Sequence, residues 1–234
     1  MKSIAIITAR GGSKRIPHKN IKLFYGRPII EYSIEVALDS GLFNEVMVST
    51  DDERIAEIAK NAGASVPFMR SAKNSDDFST TAEVLGEVLG WYNKARIMYE
   101  FACCIYPTAP FITAGKLQQA YNTLITKNAD SVLPVTKYPS SIWRSLQMDE
   151  NNKIAYNWPE YQGRRSQDLP HAFYDCGQFY FFHIQRFLQS GKLIMDNTIG
   201  LEVPQSEVQD IDVPEDWDIA ELKFNLAKKH DRDN

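Results

Sequence analysis

The sequence predicts an α/β protein in which a mostly parallel sheet is covered by helices on both faces. Two observations carry this. Over the first 140 residues, short apolar runs alternate with longer amphipathic segments, and the connections between them are short. The runs are apolar at consecutive positions rather than at every second one, as in strands buried on both faces.

The elements follow in order. The run Ser3–Thr8 (SIAIIT) is the first strand. A helix is expected over 28–40, with Pro28 near its start and Gly41 past its end. Glu45–Ser49 is the next strand, and Asp51 or Asp52 caps a helix over 53–62 that stops at Gly63. A third short strand is expected over 64–68, a helix over 80–92 and a buried strand over 101–106. Residues 113–127 form a helix with Leu117, Tyr121 and Leu124 on one stripe, and 131–136 another strand. The pattern then breaks. Residues 138–176 are rich in Pro, Tyr, Trp, Asn, Gln and Arg and weakly periodic, too long an irregular stretch for the middle of a compact sheet. They read as an inserted arm or hairpin that covers a site or reaches a partner subunit. An apolar strand resumes over 177–183, with a short helix over 185–189 and a last strand over 199–203. The C-terminal helix spans 214–229, with Pro214 in its first turn and Glu215, Asp216 and Asp218 suiting its N-terminal dipole. The tail 230–234 is expected to fray. Residues 1–234 are read as one domain carrying the arm.

Composition narrows the function classes. With 234 residues, 44% of them apolar, the chain can bury a sizeable core without a disulfide or metal staple. Its 26 Lys and Arg against 30 Asp and Glu leave a net charge of −4, which argues against a nucleic-acid binder. Cys103, Cys104 and Cys176 form neither a disulfide framework nor a zinc motif, so a reducing cytoplasm is expected. No apolar stretch reaches the ~18–20 residues that span a membrane, and the apolar start is too short for a secretory signal.

The charge is unevenly placed. Residues 1–30 hold seven cations and no carboxylate, while residues 201–220 hold seven carboxylates and no cation. These are either two solvated faces or one end that holds an anion and another that holds a metal.

The segment TARGGSKRIPHKN, residues 8–20, favours the second alternative. A buried strand ends, Gly11, Gly12 and Ser13 follow, and Arg10, Lys14, Arg15 and Lys19 surround them. Glycines let an anion approach backbone N–H groups, and this placement after the first strand of an α/β sheet suits phosphate. The spacing matches neither G-x-x-x-x-G-K-[ST] nor G-x-G-x-x-G, so a P-loop ATPase and a dinucleotide dehydrogenase are unsupported. His18, His171, His183 and His230 show no metal-ligand spacing, and no nucleophile motif of a hydrolase is present.

This segment resembles the opening motif of the cytidylyltransferases that activate nonulosonic acids, in Ala9-Arg10-Gly11-Gly12-Ser13-Lys14 and Lys19-Asn20. The resemblance extends through residues 48–52 (VSTDD), 67–70 (PFMR), 107–110 (PTAP) and 210–212 (DID). Residues 165–170 (RSQDLP) and 177–180 (GQFY) resemble the branch that takes pseudaminic acid. One departure points the same way: family members that take N-acetylneuraminate carry Gln before the Pro-Thr-x-Pro, and here Tyr106 stands in its place.

The resemblance implies a three-layer α/β/α Rossmann-like fold of the nucleotide-diphospho-sugar transferase type, with residues 138–176 as a dimerisation arm. It implies a reaction of CTP with a nonulosonic acid, in a homodimer whose arms complete the neighbouring sites. Pseudaminic acid is the expected sugar, with N-acetylneuraminate or legionaminate as alternatives. A non-catalytic nucleotide-binding regulator is the alternative of another class. Arg10 and Lys19 are expected on the triphosphate, helped by Gly11, Gly12, Ser13 and Lys14. Asn20, Arg70, Thr80 and Thr81 are expected around the base and ribose, although Ser79 or Thr80 is also a good helix cap. Arg144, Arg165, Tyr106 and Gln178 are expected on the sugar, where arginine suits its carboxylate. Asp210 and Asp212 form a D-x-D whose i and i+2 side chains point the same way when extended. They are expected to hold Mg²⁺ on the phosphates, an ordinary acidic loop being the alternative. Arg10, Lys19 and Asp212 are the residues expected to carry catalysis, and no protein base is assigned.

Overall fold

The central sheet follows the strand order β11-β6-β10-β5-β1-β4, with β9 added against β6. In this computed structural model the backbone is described for residues 1–233 and the side chains for residues 1–228. The elements are β1 (Ser3–Thr8), β2 (Leu23–Phe24), β3 (Arg27–Pro28), α1 (Ile29–Asp39), β4 (Glu45–Ser49), α2 (Glu53–Asn61), α3 (Thr81–Lys94), β5 (Phe101–Ile105) and α4 (Ala114–Thr126). They continue with β6 (Ser131–Lys137), β7 (Leu146–Met148), β8 (Ile154–Tyr156), β9 (Phe173–Asp175), β10 (Phe179–His183), α5 (Ile184–Ser190), β11 (Thr198–Glu202) and α6 (Pro214–Asp233).

Consecutive apolar residues in the strands serve both faces. Ala5, Ile7, Val46, Val48, Cys103 and Ile105 pack with Ile30 and Ile34 of α1, Ile55 of α2, and Leu117 and Leu124 of α4. Their neighbours Ile4, Ile6, Met47, Ala102 and Cys104 pack with Leu85 and Val88 of α3 and with Ile184 and Phe187 of α5. The result is the expected three-layer α/β/α arrangement.

Strand direction is where the expectation needs correcting. β1 runs parallel to β4 and β5, and β11 parallel to β6, but β10 is antiparallel to both β5 and β6, and β9 is antiparallel to β6. The sheet is mixed rather than mostly parallel. A strand buried on both faces has the same composition in either direction, so its sequence does not reveal its sense. The expected strand over 64–68 is reduced to a single bridge between Met47 and Ser65. Pro67, which has no N–H to give, stands where the ladder would continue.

Residues 138–172 leave the sheet after β6 and form a hairpin (β7–β8) with three 3-10 turns. Trp143 gives this arm a small aromatic centre, with ring centroids 5.4 Å from Trp158 and 5.6 Å from Tyr161. Leu146, Met148 and Ile154 on the hairpin are exposed.

Two elements were not expected: β9, inside the segment 138–176 read as the arm, joins the main sheet against β6, and a hairpin precedes α1. Before α1, the chain makes the tight hairpin β2–β3, turning at Tyr25 (φ 48°) and Gly26 (φ 84°), the positive pair of a type I′ turn. Phe24 on this hairpin meets Trp217 and Phe224 of α6 edge-to-face, at 5.6 and 5.2 Å. Ile16, Ile29, Ile211 and Ala220 complete the same apolar cluster. The cluster fastens the cation-rich start of the chain to its carboxylate-rich end. The backbone of α6 runs to Asp233, past the expected end at 229, so His230 lies within it; the side chains of the expected frayed tail, and Asn234 altogether, lie outside the described residues.

Elsewhere a half-buried carboxylate joins β4, α3 and two loops. Glu45 at the start of β4 accepts hydrogen bonds from Ser65 (2.5 Å), Tyr92 of α3 (2.6 Å) and Tyr99 (2.6 Å). Cys103, Cys104 and Cys176 are buried and unpaired. No described helix is long and apolar enough to cross a membrane.

Candidate active site

A cleft of about 300 Å³ opens at the C-terminal ends of β1 and β5. Its walls include Arg10, Ser13, Lys14, Lys19 and Asn20 from the loop after β1, with Arg70, Thr81, Tyr106, Asp210 and Asp212. Ten of the residues expected at the site thus line one depression, including both oppositely charged stretches.

The loop after β1 is fixed by short polar contacts. Ala9 N–H continues the sheet by donating to Ser49 (3.0 Å). Gly11 N–H donates to the Asp51 carboxylate at 2.8 Å. Gly11 is sterically required: a Cβ there would sit 2.8 Å from the Asp52 Cβ. Gly12 has open space around its Cα, so nothing in the packing demands glycine there. The adjacent aspartates divide their work, since Asp52 caps α2 through Arg54 N–H and Ile55 N–H. Asn20, buried beneath the loop, donates from Nδ2 to the Arg10 carbonyl at 2.8 Å.

Two cations of the loop reach Asp212. Arg15 Nη2 lies 2.8 Å and Lys19 Nζ 3.5 Å from its Oδ1. Lys19 is held more tightly by the Ile211 carbonyl, at 2.5 Å. The extended segment carrying Asp212 is positioned by α6, where Asp216 accepts from Asp212 N–H and Val213 N–H, both at 2.8 Å. Asp210 makes no ion pair among the described residues; burial, and then the like charge of Asp212, raise its carboxyl above the ordinary range. Two carboxylates facing a cationic cradle could offer oxygen ligands to a hard divalent cation. Among the described residues no group of three or more His, Cys, Asp and Glu is placed to hold a metal, so at most these two carboxylates could serve one. That suits Mg²⁺, which keeps waters and substrate phosphates in its shell.

Arg70 lies behind the loop and is only 7% exposed. Its Nε donates to Ser49 Oγ at 3.0 Å, and its Nη2 donates to the Ser49 carbonyl. Burial lowers its affinity for the proton, and it makes no ion pair among the described residues. A buried guanidinium facing a cleft favours an electron-rich partner there. Thr81 and Tyr106 face each other with their hydroxyl oxygens 3.0 Å apart.

Six expected residues are not brought to this lining; Gly11, whose N–H is taken by Asp51, and Gly12 are two of them. Thr80 is the N-cap of α3: it accepts from Glu83 N–H at 3.2 Å, and Glu83 accepts from it in return, so its hydroxyl is committed to a capping box. Gln178 is 2% exposed and donates to the Glu207 carbonyl at 2.7 Å, leaving Gly177 to line the cleft in its place. Arg165 pairs with Asp168 at 2.7 Å, and Arg144 reaches Ser166 at 3.2 Å, both on the exposed arm. His18 is also outside the lining, with Nδ1 3.2 Å from Arg54. Sequence reasoning missed Ile16 and Ile211, whose shared burial aligns the two charged loops; the one available signal was that each is an isolated apolar residue inside a charged run.

A family model described as cytidylyltransferase matches residues 4–196. The pseudaminic acid cytidylyltransferase of Campylobacter jejuni serotype O:2 is 37% identical over 226 residues, covering 97% of each chain. The CMP-N,N'-diacetyllegionaminic acid synthase of Legionella pneumophila is 30% identical over 239 residues, covering 98% of this chain and 99% of its own. Among solved structures, CMP:2-keto-3-deoxy-manno-octonic acid synthetase complexed with CTP superimposes with a TM-score of 0.69 at 16% identity, over 98% of this chain and all of that one. At that identity the match speaks for the fold.

Proposed function

The chain belongs to the cytidylyltransferase family, and from that premise we propose that it joins CTP to pseudaminic acid, giving CMP-pseudaminic acid and pyrophosphate. The observation that carries the proposal is the convergence of Arg15 and Lys19 with Asp212 across a cleft also lined by Arg10, Lys14, Arg70 and Asp210. Full-length similarity to enzymes named for pseudaminic acid supports the choice of sugar.

The chemistry follows from these residues. The anomeric hydroxyl oxygen of the sugar attacks the α-phosphorus of CTP and releases its proton to solvent, a P–O bond forms, and the P–O bond to pyrophosphate breaks with its electrons leaving on oxygen. Negative charge grows on the phosphoryl and departing oxygens, so positioned cations and N–H donors stabilise the transition state more than the ground state. Arg10, Lys14 and Lys19 supply those cations and Ser13 its hydroxyl, since the Gly11 N–H is taken by Asp51 and the Ser13 N–H by the Gly11 carbonyl. Arg70 and Thr81, which line the cleft, would read the base and ribose. Asp210 and Asp212 would hold Mg²⁺, which supplies charge neutralisation on the phosphates when bound.

The sugar's carboxylate needs a cation, and Arg144 and Arg165, on the exposed arm outside this chain's cleft, would supply it to a neighbouring subunit. The exposed apolar hairpin carrying Leu146, Met148 and Ile154 suits burial in a homodimer, with each arm completing the other cleft. Three buried free thiols suit a reducing cytoplasm.

The test is pyrophosphate release from CTP with each sugar in turn. Turnover with pseudaminic acid above N-acetylneuraminate and legionaminate is expected. Turnover with either of the others alone overturns the sugar assignment and keeps the reaction. CTP binding with no turnover on any of them favours a nucleotide-binding regulator.

A further inference from the structure

Residues 71–80 carry a turn from the cleft wall to α3, and that turn puts a carboxylate on the phosphate loop. Asp77 Oδ1 lies 2.8 Å from Arg10 Nη1, and Asp77 Oδ2 pairs with Lys14 Nζ. The same Arg10 Nη1 donates to the Asp76 carbonyl at 2.7 Å. One aspartate of this chain therefore engages two of the cations that would meet a triphosphate.

The turn is braced within itself and at both ends. The Asp76 carboxylate accepts from Phe78 N–H (3.0 Å), Ser79 N–H (2.7 Å) and Ser79 Oγ (2.6 Å). Upstream, Glu87 of α3 accepts from Ser71 N–H at 2.8 Å and Ser71 Oγ at 3.0 Å, and also from Asn74. Downstream, the Thr80–Glu83 capping box fixes the start of α3. Between these anchors, Phe78 is the one large apolar side chain of residues 75–79, and it is 89% exposed. Apolar packing does not fasten the turn to the phosphate loop. Charge does, through Asp77 on Arg10 and Lys14, and through the Asp76 carbonyl on Arg10.

We infer that Asp77 competes with the nucleotide's phosphates for Arg10 and Lys14, and that the turn 76–79 swings off the phosphate loop when the phosphates win. This rests on the proposed nucleotide reading of the cleft. A triphosphate brings several negative charges to the cations that Asp77 holds with one, so the exchange favours the ligand. The turn is short, anchored on both sides and internally hydrogen-bonded, which lets it move as a unit. Ion pairs this exposed are individually weak, so the competition lowers nucleotide affinity by roughly three- to tenfold.

Asp77→Asn removes the charge and keeps the size, which makes it the variant of choice. Calorimetric titration with CTP and Mg²⁺, at fixed ionic strength, should give the variant a Kd roughly three- to tenfold lower than the parent protein. Tripolyphosphate should gain a similar factor, because base and ribose take no part. A separate Phe78→Trp protein reports the motion: its fluorescence should change on adding CTP and stay constant on adding cytidine, which has no phosphate. Equal or weaker binding of CTP by Asp77→Asn overturns the competition and makes Asp77 an orienting partner of Arg10. A CTP-bound Phe78→Trp protein with unchanged emission overturns the motion. CTP binding by neither the parent nor Asp77→Asn overturns the nucleotide reading, and the competition falls with it.

Discussion

Lys19 and Asp212 stand 193 positions apart in the chain and meet across one cleft, Nζ 3.5 Å from Oδ1, while the same ammonium holds the Ile211 carbonyl at 2.5 Å. The contact is set by packing as much as by charge. Ile16 precedes Lys19 by three positions and Ile211 precedes Asp212 by one, and both isoleucines are buried in the cluster around Phe24 and Trp217.

Lys19→Ala should lower kcat/KM for CTP by roughly 10²–10³-fold, the loss typical of removing a donor aimed at developing oxyanion charge. Its circular dichroism should match the parent, because the Ile16–Ile211 packing survives. Full turnover at saturating CTP and Mg²⁺ would remove Lys19 from the catalytic set.

Chelation with EDTA should abolish turnover, and Mg²⁺ should restore it. Asp210→Asn and Asp212→Asn should each raise the Mg²⁺ concentration needed for half-maximal rate by about tenfold or more. Asp212→Asn should also free Arg15 and Lys19, so CTP binding measured without metal should hold or strengthen. An unchanged Mg²⁺ requirement in both variants returns the D-x-D to an ordinary acidic loop.

Glu45 gives a pH prediction. Burial by itself would raise its carboxyl, but hydrogen bonds from Ser65, Tyr92 and Tyr99 outweigh burial and leave it below the ordinary carboxylate value. A carboxyl with a lower pKa folded than unfolded contributes stability that is present above the unfolded pKa and is lost as pH falls through the folded one. Thermal stability should therefore fall as pH drops below about 4.5. Glu45→Ala should cost about 1–3 kcal/mol at pH 7, since it leaves two tyrosine hydroxyls without their acceptor. Glu45→Gln should flatten the acid limb of the Tm–pH curve, and an identical acid limb would show that other groups control it.

Arg165→Ala should raise KM for the sugar by about tenfold or more, with KM for CTP little changed. Co-expression with Lys19→Ala tests where the arm acts. If arms cross between subunits, each mixed dimer contains one intact site and shows about half the parent activity. Mixed dimers no better than either variant alone would place Arg165 at its own chain's cleft.

The residues of β1, β4 and β5 were legible because a strand buried on both faces must be apolar at every position, and Ile4 to Ile7 have little other use. The sense of β10 was not legible, because direction depends on the route of the arm and leaves no mark on GQFYFFH. Among neighbouring polar residues, type is visible but division of labour is not. Asp51 and Asp52 both read as caps, and only their directions assign one to α2 and the other to Gly11 N–H. Thr80 and Thr81 divide in the same way, between a helix cap and the cleft. The D-x-D and the cation-rich loop were visible as charges, while their meeting depended on a hairpin at Tyr25-Gly26 that carried no obvious turn dipeptide.

The arm has a narrow neck. Lys137 at the end of β6 pairs directly with Phe173 at the start of β9, and Tyr138 N–H donates to the Ala172 carbonyl at 3.1 Å. Everything between hangs from two adjacent strand ends, and no pairing of the main sheet passes through it. Loop closure across such a neck depends only weakly on the length of chain enclosed. The arm is in that sense an interchangeable part. A different arm could be spliced in while the main sheet keeps its register, so that, if the arm serves the acceptor and the neighbouring subunit as proposed, those choices could be re-engineered apart from the nucleotide-facing cleft.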